Sequence, residues 1–153
     1  MTLFLLAGIA AIAVMAMSRG GGRTMSEWYV LDQANANALI GDQDRKSAWE
    51  AAGGSLHSTL ATGGRQLAPI LMSVRRVGDN FLVTFRLINI EGMTNLDAPA
   101  QVVGDVIYTV SGAQTPGYGL QILQEDWPLP DGGRQIIPGT ATPSVPMIGR
   151  GIY

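Results

Sequence analysis

The sequence predicts an α+β protein joined to a membrane by one N-terminal helix. Three observations predict this fold class: an apolar run at the N-terminus, apolar residues at helical spacing over residues 25–52, and β-rich runs from residue 66 onward. Helices followed by strands are typical of an antiparallel sheet with helices packed against it. The predicted organisation is an anchor over residues 1–18, a glycine-rich hinge over 19–24, an α+β domain over 25–126 and an extended arm over 127–153.

Residues 1–18 form the predicted transmembrane anchor, because no charged residue precedes Arg19. Eighteen helical residues span about 27 Å, close to the roughly 30 Å hydrocarbon core of a bilayer. The larger apolar residues of the anchor are Leu3, Phe4, Leu5, Leu6, Ile9, Ile12 and Val14. A cleaved signal peptide and a buried core helix remain alternatives, although no basic residue opens the segment as a signal peptide requires.

The hinge supplies the charges that orient this anchor. Arg19 and Arg23 flank the helix on its C-terminal side only. The positive-inside rule therefore places residues 24–153 on the cytoplasmic side, or in the interior of a virion with an internal membrane. The lipid bilayer is thus the first expected partner.

Two short helices follow the hinge. Thr24 and Glu27 have capping-box spacing, and an apolar stripe from Trp28 to Leu39 predicts a helix over about residues 25–40. Asp42 is placed to cap a second helix that runs through Ala52, and Gly53-Gly54 are expected to end it. Residues 55–65 are small and polar, which predicts a loop.

About four strands form the predicted antiparallel sheet. Residues 66–77 and 81–90 flank a turn signal at Gly78-Asp79-Asn80, and residues 101–110 and 118–123 supply two more strands. Alternation in the second strand places its larger apolar residues on one face and leaves the other face mixed. The residues of the apolar face are Phe81, Val83, Phe85 and Leu87.

The last 27 residues are rich in proline and glycine but remain moderately apolar. This composition predicts an extended arm without its own core, and its apolar residues predict that it docks on its own domain or on a neighbouring subunit. The candidate docking residues are Ile136, Ile137, Val145, Met147, Ile148, Ile152 and Tyr153.

Composition argues against most catalytic chemistry. The chain has no cysteine and one histidine, His57, so it offers neither a thiolate nor a cluster of Cys or His metal ligands. Asp42 and Asp44 begin like a calcium-binding loop, but Lys46 stands where such a loop has its third oxygen ligand, and the loop glycine is missing. We interpret both aspartates as acidic residues at a helix N-terminus. Glu125, Asp126 and Asp131 are interpreted as turn residues rather than an acid–base pair. We therefore predict no catalytic residue, metal site or cofactor, and no small-molecule substrate is indicated.

Arginines near one predicted hairpin form the main basic patch outside the anchor flank. Arg75, Arg76 and Arg86 are candidates, together with Arg19 and Arg23, for contact with lipid or a partner protein. For Arg75, Arg76 and Arg86 the first interpretation is solvated charges that block unwanted strand pairing, ahead of contact with lipid. A nucleic-acid partner is not expected, because residues 24–126 carry eleven acidic and six basic residues.

These features lead to a hypothesis of a non-enzymatic, membrane-anchored structural or assembly protein with protein subunits as partners. Minor proteins of membrane-containing virions and accessory subunits of bacterial envelope complexes share this organisation, a comparison of architecture alone. The alternative is a membrane-tethered module that binds a ligand or peptide. A third hypothesis, an anchored hydrolase using His57 and its neighbouring serines, lacks a nucleophile-elbow motif.

Overall fold

The computed structural model describes residues 22–113 and 119–139 as a five-stranded antiparallel sheet with one helix packed on each face. The strands follow one another in chain order across the sheet, and every neighbouring pair is antiparallel. The elements are α1 (Met25–Asn37), α2 (Gln43–Gly63), β1 (Leu67–Val77), β2 (Asn80–Asn89), β3 (Gln101–Ser111), β4 (Ile122–Pro128) and β5 (Arg134–Pro138). The α+β fold class is confirmed.

The predicted anchor over residues 1–18 and the first half of the predicted hinge, residues 19–21, lie outside the described residues. Neither α1 nor α2, the two helices of the described ranges, is both long and apolar enough to cross a membrane. The anchor therefore stays a prediction.

Helix α1 begins with the predicted capping box. The Thr24 hydroxyl accepts a hydrogen bond from the Glu27 amide at 3.1 Å, and the Glu27 carboxylate accepts one from the Thr24 amide at 2.8 Å. Met25 and Trp28 are buried and pack with Ile70 of β1. The helix ends at Asn37, three residues earlier than predicted, and a turn over residues 38–41 leads into α2.

The predicted end of the second helix at Gly53-Gly54 is wrong, as is the loop predicted over residues 55–65. Helix α2 continues through both glycines to Gly63, and Gly64 ends it in the left-handed conformation with φ +75°. Burial explains the difference, because Leu56 is fully buried and Leu60 packs against the same cluster. Burying a leucine contributes roughly 2 kcal/mol, more than the roughly 1 kcal/mol that a helical glycine costs.

Each face of the sheet has its own core. The face under α2, called here the α2 face, carries the predicted apolar alternation of β2, and all four of its residues are buried, which confirms that pattern. Opposite it, the α1 face carries Ala68, Ile70 and Ile88 under α1. Bulges at Met72 and Val103 each insert one extra residue, so the alternation of faces along β1 and β3 shifts by one position beyond the bulge.

The last two strands correct the predicted sheet. The fourth strand is Ile122–Pro128 rather than residues 118–123, and a fifth strand, Arg134–Pro138, lies within the predicted arm. The boundary predicted at residue 126 thus falls inside β4. A tight turn explains the extra strand: Asp131 accepts a hydrogen bond from the Gly133 amide at 2.8 Å, and Gly132 has φ +91°. The rest of the arm, residues 140–153, lies outside the described residues.

Candidate interaction surfaces

One edge of the sheet, formed by β1, is capped by side chains of the helices. The Leu71 amide donates to the Asp32 carboxylate at 2.7 Å, and the Leu71 carbonyl accepts from the Asn35 side chain at 2.6 Å. Further along, the Val74 carbonyl accepts from the Arg45 guanidinium at 3.3 Å. Asp32 and Asn35 thus supply to Leu71 what a neighbouring strand would supply. Natural sheets block unwanted strand pairing in this way.

The other edge, formed by β5, has no such cap among residues 22–113 and 119–139. Its pairing with β4 shows which backbone groups face outward. The Gly139 amide donates to the Leu123 carbonyl and the Leu129 amide to the Gly133 carbonyl, each at 2.9 Å. Hydrogen-bonded pairs alternate in an antiparallel ladder, so β5 residues 135 and 137 bond inward to β4. Residues 134, 136 and 138 therefore present their backbone groups to the open edge.

Two predicted docking residues lie in β5. Ile136 is 53% exposed and is aligned with Asp126, which is aligned with Ile107 of β3. Cross-strand partners share a face, so Ile136 lies on the α1 face, beyond the area that α1 covers. Ile137 lies on the α2 face and is partly buried. The other predicted docking residues, Val145, Met147, Ile148, Ile152 and Tyr153, lie outside the described residues.

Arg134 fixes the open edge to its neighbour strand. Its guanidinium donates to the Asp126 carboxylate at 2.8 Å and to the Asp126 carbonyl at 3.0 Å. The ion pair lies on the same face as Ile136, since Asp126 and Ile136 are aligned. On the α1 face, β5 therefore presents an exposed isoleucine, Ile136, beside the Arg134–Asp126 ion pair.

The predicted arginine patch is dispersed in the structure. Arg75 and Arg76 are adjacent in β1 and point to opposite faces, because strand side chains alternate. Arg76 lies 4.6 Å from the centre of the Phe81 ring and 3.7 Å from the Asp44 carboxylate. Arg75 is exposed beside Leu82 on the α1 face.

Arg86 and Arg23 lie together at Trp28 instead. Their guanidinium carbons are 5.8 Å and 4.9 Å from the centre of the Trp28 ring. Arg86 also makes a two-pronged pair with Asp105 at 2.8 Å and 3.1 Å, and this hydrogen bonding raises the pKa of Arg86. Arg19 lies outside the described residues. The sequence did not indicate that Arg23 and Arg86 share an aromatic partner, because sixty-two positions separate them.

Two of the side chains considered for catalysis or metal binding, His57 and Asp42, belong to α2 and its N-terminal cap. His57 is exposed on α2 rather than in a loop. Asp42 caps α2 as predicted, accepting from the Arg45 amide at 3.2 Å, and hydrogen bonds with Arg45 lower the pKa of Asp42. Within the described ranges no group of three or more His, Cys, Asp or Glu residues is placed to hold a metal ion.

Sequence reasoning missed a buried polar cluster on the α2 face. The sequence predicts a turn at Glu125 and an extended arm from Trp127 onward, but both residues belong to β4, and Glu125 is only 7% exposed. The Trp127 indole donates to the Glu125 carboxylate at 2.8 Å. Tyr108, aligned with Glu125, is fully buried, and its hydroxyl has no hydrogen-bond partner among the residues that the structure describes. A bulge at Leu123 interrupts β4, so Ile122, Glu125 and Trp127 share a face without the even spacing of a regular strand. Alternation in the sequence therefore does not reveal this strand.

Burial raises the pKa of Tyr108, and the nearby negative charge of Glu125 raises it further. The Ser55 hydroxyl of α2 acts in the opposite direction, although the two groups do not meet in hydrogen-bonding geometry. The core on the α2 face thus holds a phenol beside a carboxylate that is hydrogen-bonded to Trp127.

Two cavities open at the end of the sheet where α1 and β3 begin. A cleft of about 330 Å³ lies between Val102 and the β4–β5 turn at Leu129 and Pro130. A smaller, mainly apolar cavity of about 150 Å³ lies under the end of α2, between Leu60 and Trp127. Arg65, Val103 and Pro128 line both, so the two cavities adjoin. Val102 and Leu129 are 44% and 37% exposed, which leaves this end partly apolar.

Comparisons of the chain with protein-family models, with curated proteins and with solved structures found no match. The surfaces themselves therefore carry the functional argument.

Proposed function

We propose that the protein is a non-enzymatic, membrane-anchored structural or assembly protein that docks on neighbouring subunits through β5 and the arm that follows it. The observation that carries this proposal is the difference between the two sheet edges. Side chains of α1 and α2 close the β1 edge, whereas the β5 edge presents open backbone groups and an exposed isoleucine. An unpaired edge is a template for pairing with another chain.

The position of the arm supports the same conclusion. Residues 140–153 follow directly after β5, and they contain Val145, Met147 and Ile148 among small and polar residues. An arm that leaves from an open edge extends the docking surface without interrupting the folded part. In this proposal the N-terminal segment spans the bilayer of a virion or a bacterial envelope, with residues 24–153 on the cytoplasmic or interior side.

The experiment that tests the arm compares two triple variants of the full chain in its native source. Val145→Asp/Met147→Asp/Ile148→Asp places three charges on the apolar positions, and Thr140→Asp/Thr142→Asp/Ser144→Asp places the same three on polar positions. After mild detergent extraction and size separation, mass spectrometry identifies the proteins that co-migrate. We expect the first variant to lose its companions at least tenfold and the second to keep them. Retention of all companions by both variants would remove the arm from the proposed function.

A second candidate function, a membrane-tethered ligand- or peptide-binding module, is favoured by the adjoining cavities. Their combined lining is partly apolar and includes one cation, Arg65, which suits a small amphipathic ligand. Stoichiometry distinguishes the two functions: an assembly component occurs in a fixed ratio to its companions, whereas a binding module extracted alone runs as a small detergent-bound species.

A further inference from the structure

The open edge of β5 has a hydrogen-bonding pattern that matches a second copy of itself. Residues 134, 136 and 138 present outward groups, but Pro138 has a carbonyl and no amide. When two β5 strands run antiparallel with Ile136 at the centre, residue 134 of each lies opposite residue 138 of the other. The Arg134 amide then donates to the Pro138 carbonyl of the other copy. Because Pro138 has no amide, the Arg134 carbonyl at each end of the pair stays without a donor.

We propose that two copies of the chain pair through β5 about a two-fold axis at Ile136, which joins their sheets into one of ten strands. This inference rests on the proposed function and deepens it, since it names the neighbour as a second copy. Four backbone hydrogen bonds form: two between the Ile136 residues, and two from Arg134 amides to Pro138 carbonyls. Two strands that pair about a two-fold axis run antiparallel, and the outward backbone groups of β5 fit this direction.

The side chains favour this register over its neighbour. With Ile136 at the centre, the two exposed isoleucines contact each other on the α1 face, and each buries surface that is now 53% exposed. A register centred on Gln135 also allows four hydrogen bonds, but it places Ile136 against the Arg134 of the other copy. The Arg134 guanidinium is already paired with Asp126 and gains nothing there. Apolar contact therefore selects Ile136.

The same geometry suits two anchors in one bilayer. The axis is perpendicular to the joined sheet, so both α1 helices lie on the same side of it. Residues 22–24, which precede α1, lie beside the segment that leads into β3, where the Ala100 amide donates to the Arg23 carbonyl at 3.0 Å and Thr24 forms a bridge with Pro99. The two-fold axis therefore places residues 22–24 of the two copies at equivalent positions on the joined sheet.

The paired edges are short. A stable interface buries about 1,200 Å² or more in total, which is more than two five-residue edges provide, so the proposed pair belongs to the weak, transient class of interfaces. In the proposed register Gly139 of one copy lies opposite Gly133 of the other, next to the cleft at Val102 and Leu129.

The test uses the absence of cysteine from the chain, which makes each introduced cysteine unique. Full-length Ile136→Cys, Gln135→Cys and Val77→Cys variants are oxidised in mild detergent at equal concentration. Paired residues in a hydrogen-bonded antiparallel pair have Cα atoms about 5.5 Å apart, within the range of a disulfide. We expect Ile136→Cys to form a disulfide dimer at least tenfold faster than Val77→Cys, a 47% exposed control at the far end of β1.

Two further outcomes fix the register. Gln135→Cys alone should not form the dimer, whereas a mixture of Gln135→Cys and Ile137→Cys should, because these positions lie opposite each other across the axis. The proposed pairing would be overturned if Gln135→Cys forms a disulfide dimer and Ile136→Cys does not, or if Ile136→Cys and Val77→Cys form dimers at equal rates. If Ile136→Cys fails to cross-link but the companion proteins still co-migrate with it, the pairing through β5 is overturned and the proposed assembly role stands.

Discussion

The Tyr108 hydroxyl lies between α2 and the sheet, where the side chain is fully buried. A buried hydroxyl without a partner loses its hydrogen bonds to water and gains none in return, at a cost of roughly 1–3 kcal/mol. Tyr108 also contacts Phe85 and Trp127 in edge-to-face geometry, with ring centres 6.2 Å and 6.5 Å apart. The ring therefore stabilises the core while the hydroxyl opposes it.

This contrast predicts that Tyr108→Phe leaves the free energy of unfolding unchanged or raises it by about 1 kcal/mol at neutral pH, because the ring contacts remain. The pKa of Tyr108 is raised in the folded chain, so the unfolded chain loses this proton first as the pH rises past 10. The stability that the neutral phenol contributes is present below pH 10 and decreases above it. Denaturant unfolding at pH 7 and pH 11 should show a smaller alkaline loss for Tyr108→Phe than for the native chain.

The matched control is Tyr29→Phe, which changes a tyrosine that is 46% exposed on α1. It should lose as much stability at pH 11 as the native chain does. An alkaline loss in Tyr108→Phe equal to that of the control would contradict the assignment of the buried proton to Tyr108.

At the scale of the element, α2 shows how packing overrides local preference. Its two central glycines favour a break, but the helix continues because Ala52 and Leu56 are fully buried on either side of them. A Cβ atom at Gly54 would meet no atom within 4 Å, so this glycine is not required by space. Gly64 differs, since its positive φ is one that side-chain-bearing residues rarely adopt.

The helix therefore predicts opposite effects for the same substitution at two positions. Gly54→Ala should raise the free energy of unfolding by about 1 kcal/mol, because alanine loses less backbone entropy in a helix. Gly64→Ala should lower it by about 1 kcal/mol, because its Cβ is strained in the left-handed conformation. Denaturant titration of both variants in mild detergent gives the two signs, and a stabilising Gly64→Ala would contradict the C-cap assignment.

At the scale of the whole molecule, the two sheet edges determine what the chain can pair with. The β1 edge is eleven residues long and would be the larger template for pairing, but Asp32, Asn35 and Arg45 occupy it. The β5 edge is short and ends at a proline, which limits pairing to a few residues. Of the two edges, β5 is thus the one that the described residues leave open to pairing.

Removal of the cap should expose the wrong edge. Asp32→Ala leaves the Leu71 amide without an acceptor and should lower the free energy of unfolding by about 1–3 kcal/mol, with faster hydrogen exchange over residues 67–77. Asp32→Asn keeps an acceptor oxygen in place and should show a smaller effect on both. Unchanged exchange over β1 in Asp32→Ala would show that the cap does not protect this edge.

The sequence determined those features that depend on neighbours along the chain. The capping box at Thr24 and Glu27, the turn after Val77 and the buried alternation from Phe81 to Leu87 all depend on residues within a few positions of each other, and the structure confirms them. The absence of cysteine and the lone histidine likewise follow from composition. The membrane anchor and the last part of the arm, residues 140–153, remain predictions from residues outside the described ranges.

Only the tertiary structure decided the features that depend on distant partners. Gly53-Gly54 stay helical because the sheet buries Leu56, and residues 134–138 become a strand because β4 offers them a ladder. The hairpin arginines separate because strand alternation sends Arg76 to the α2 face, away from Arg75 and Arg86 on the α1 face, and Arg86 pairs with Asp105 beside Trp28. Burial and hydrogen bonding across many positions supply more free energy at these places than local propensity does, and the difference between the two sheet edges emerges only there.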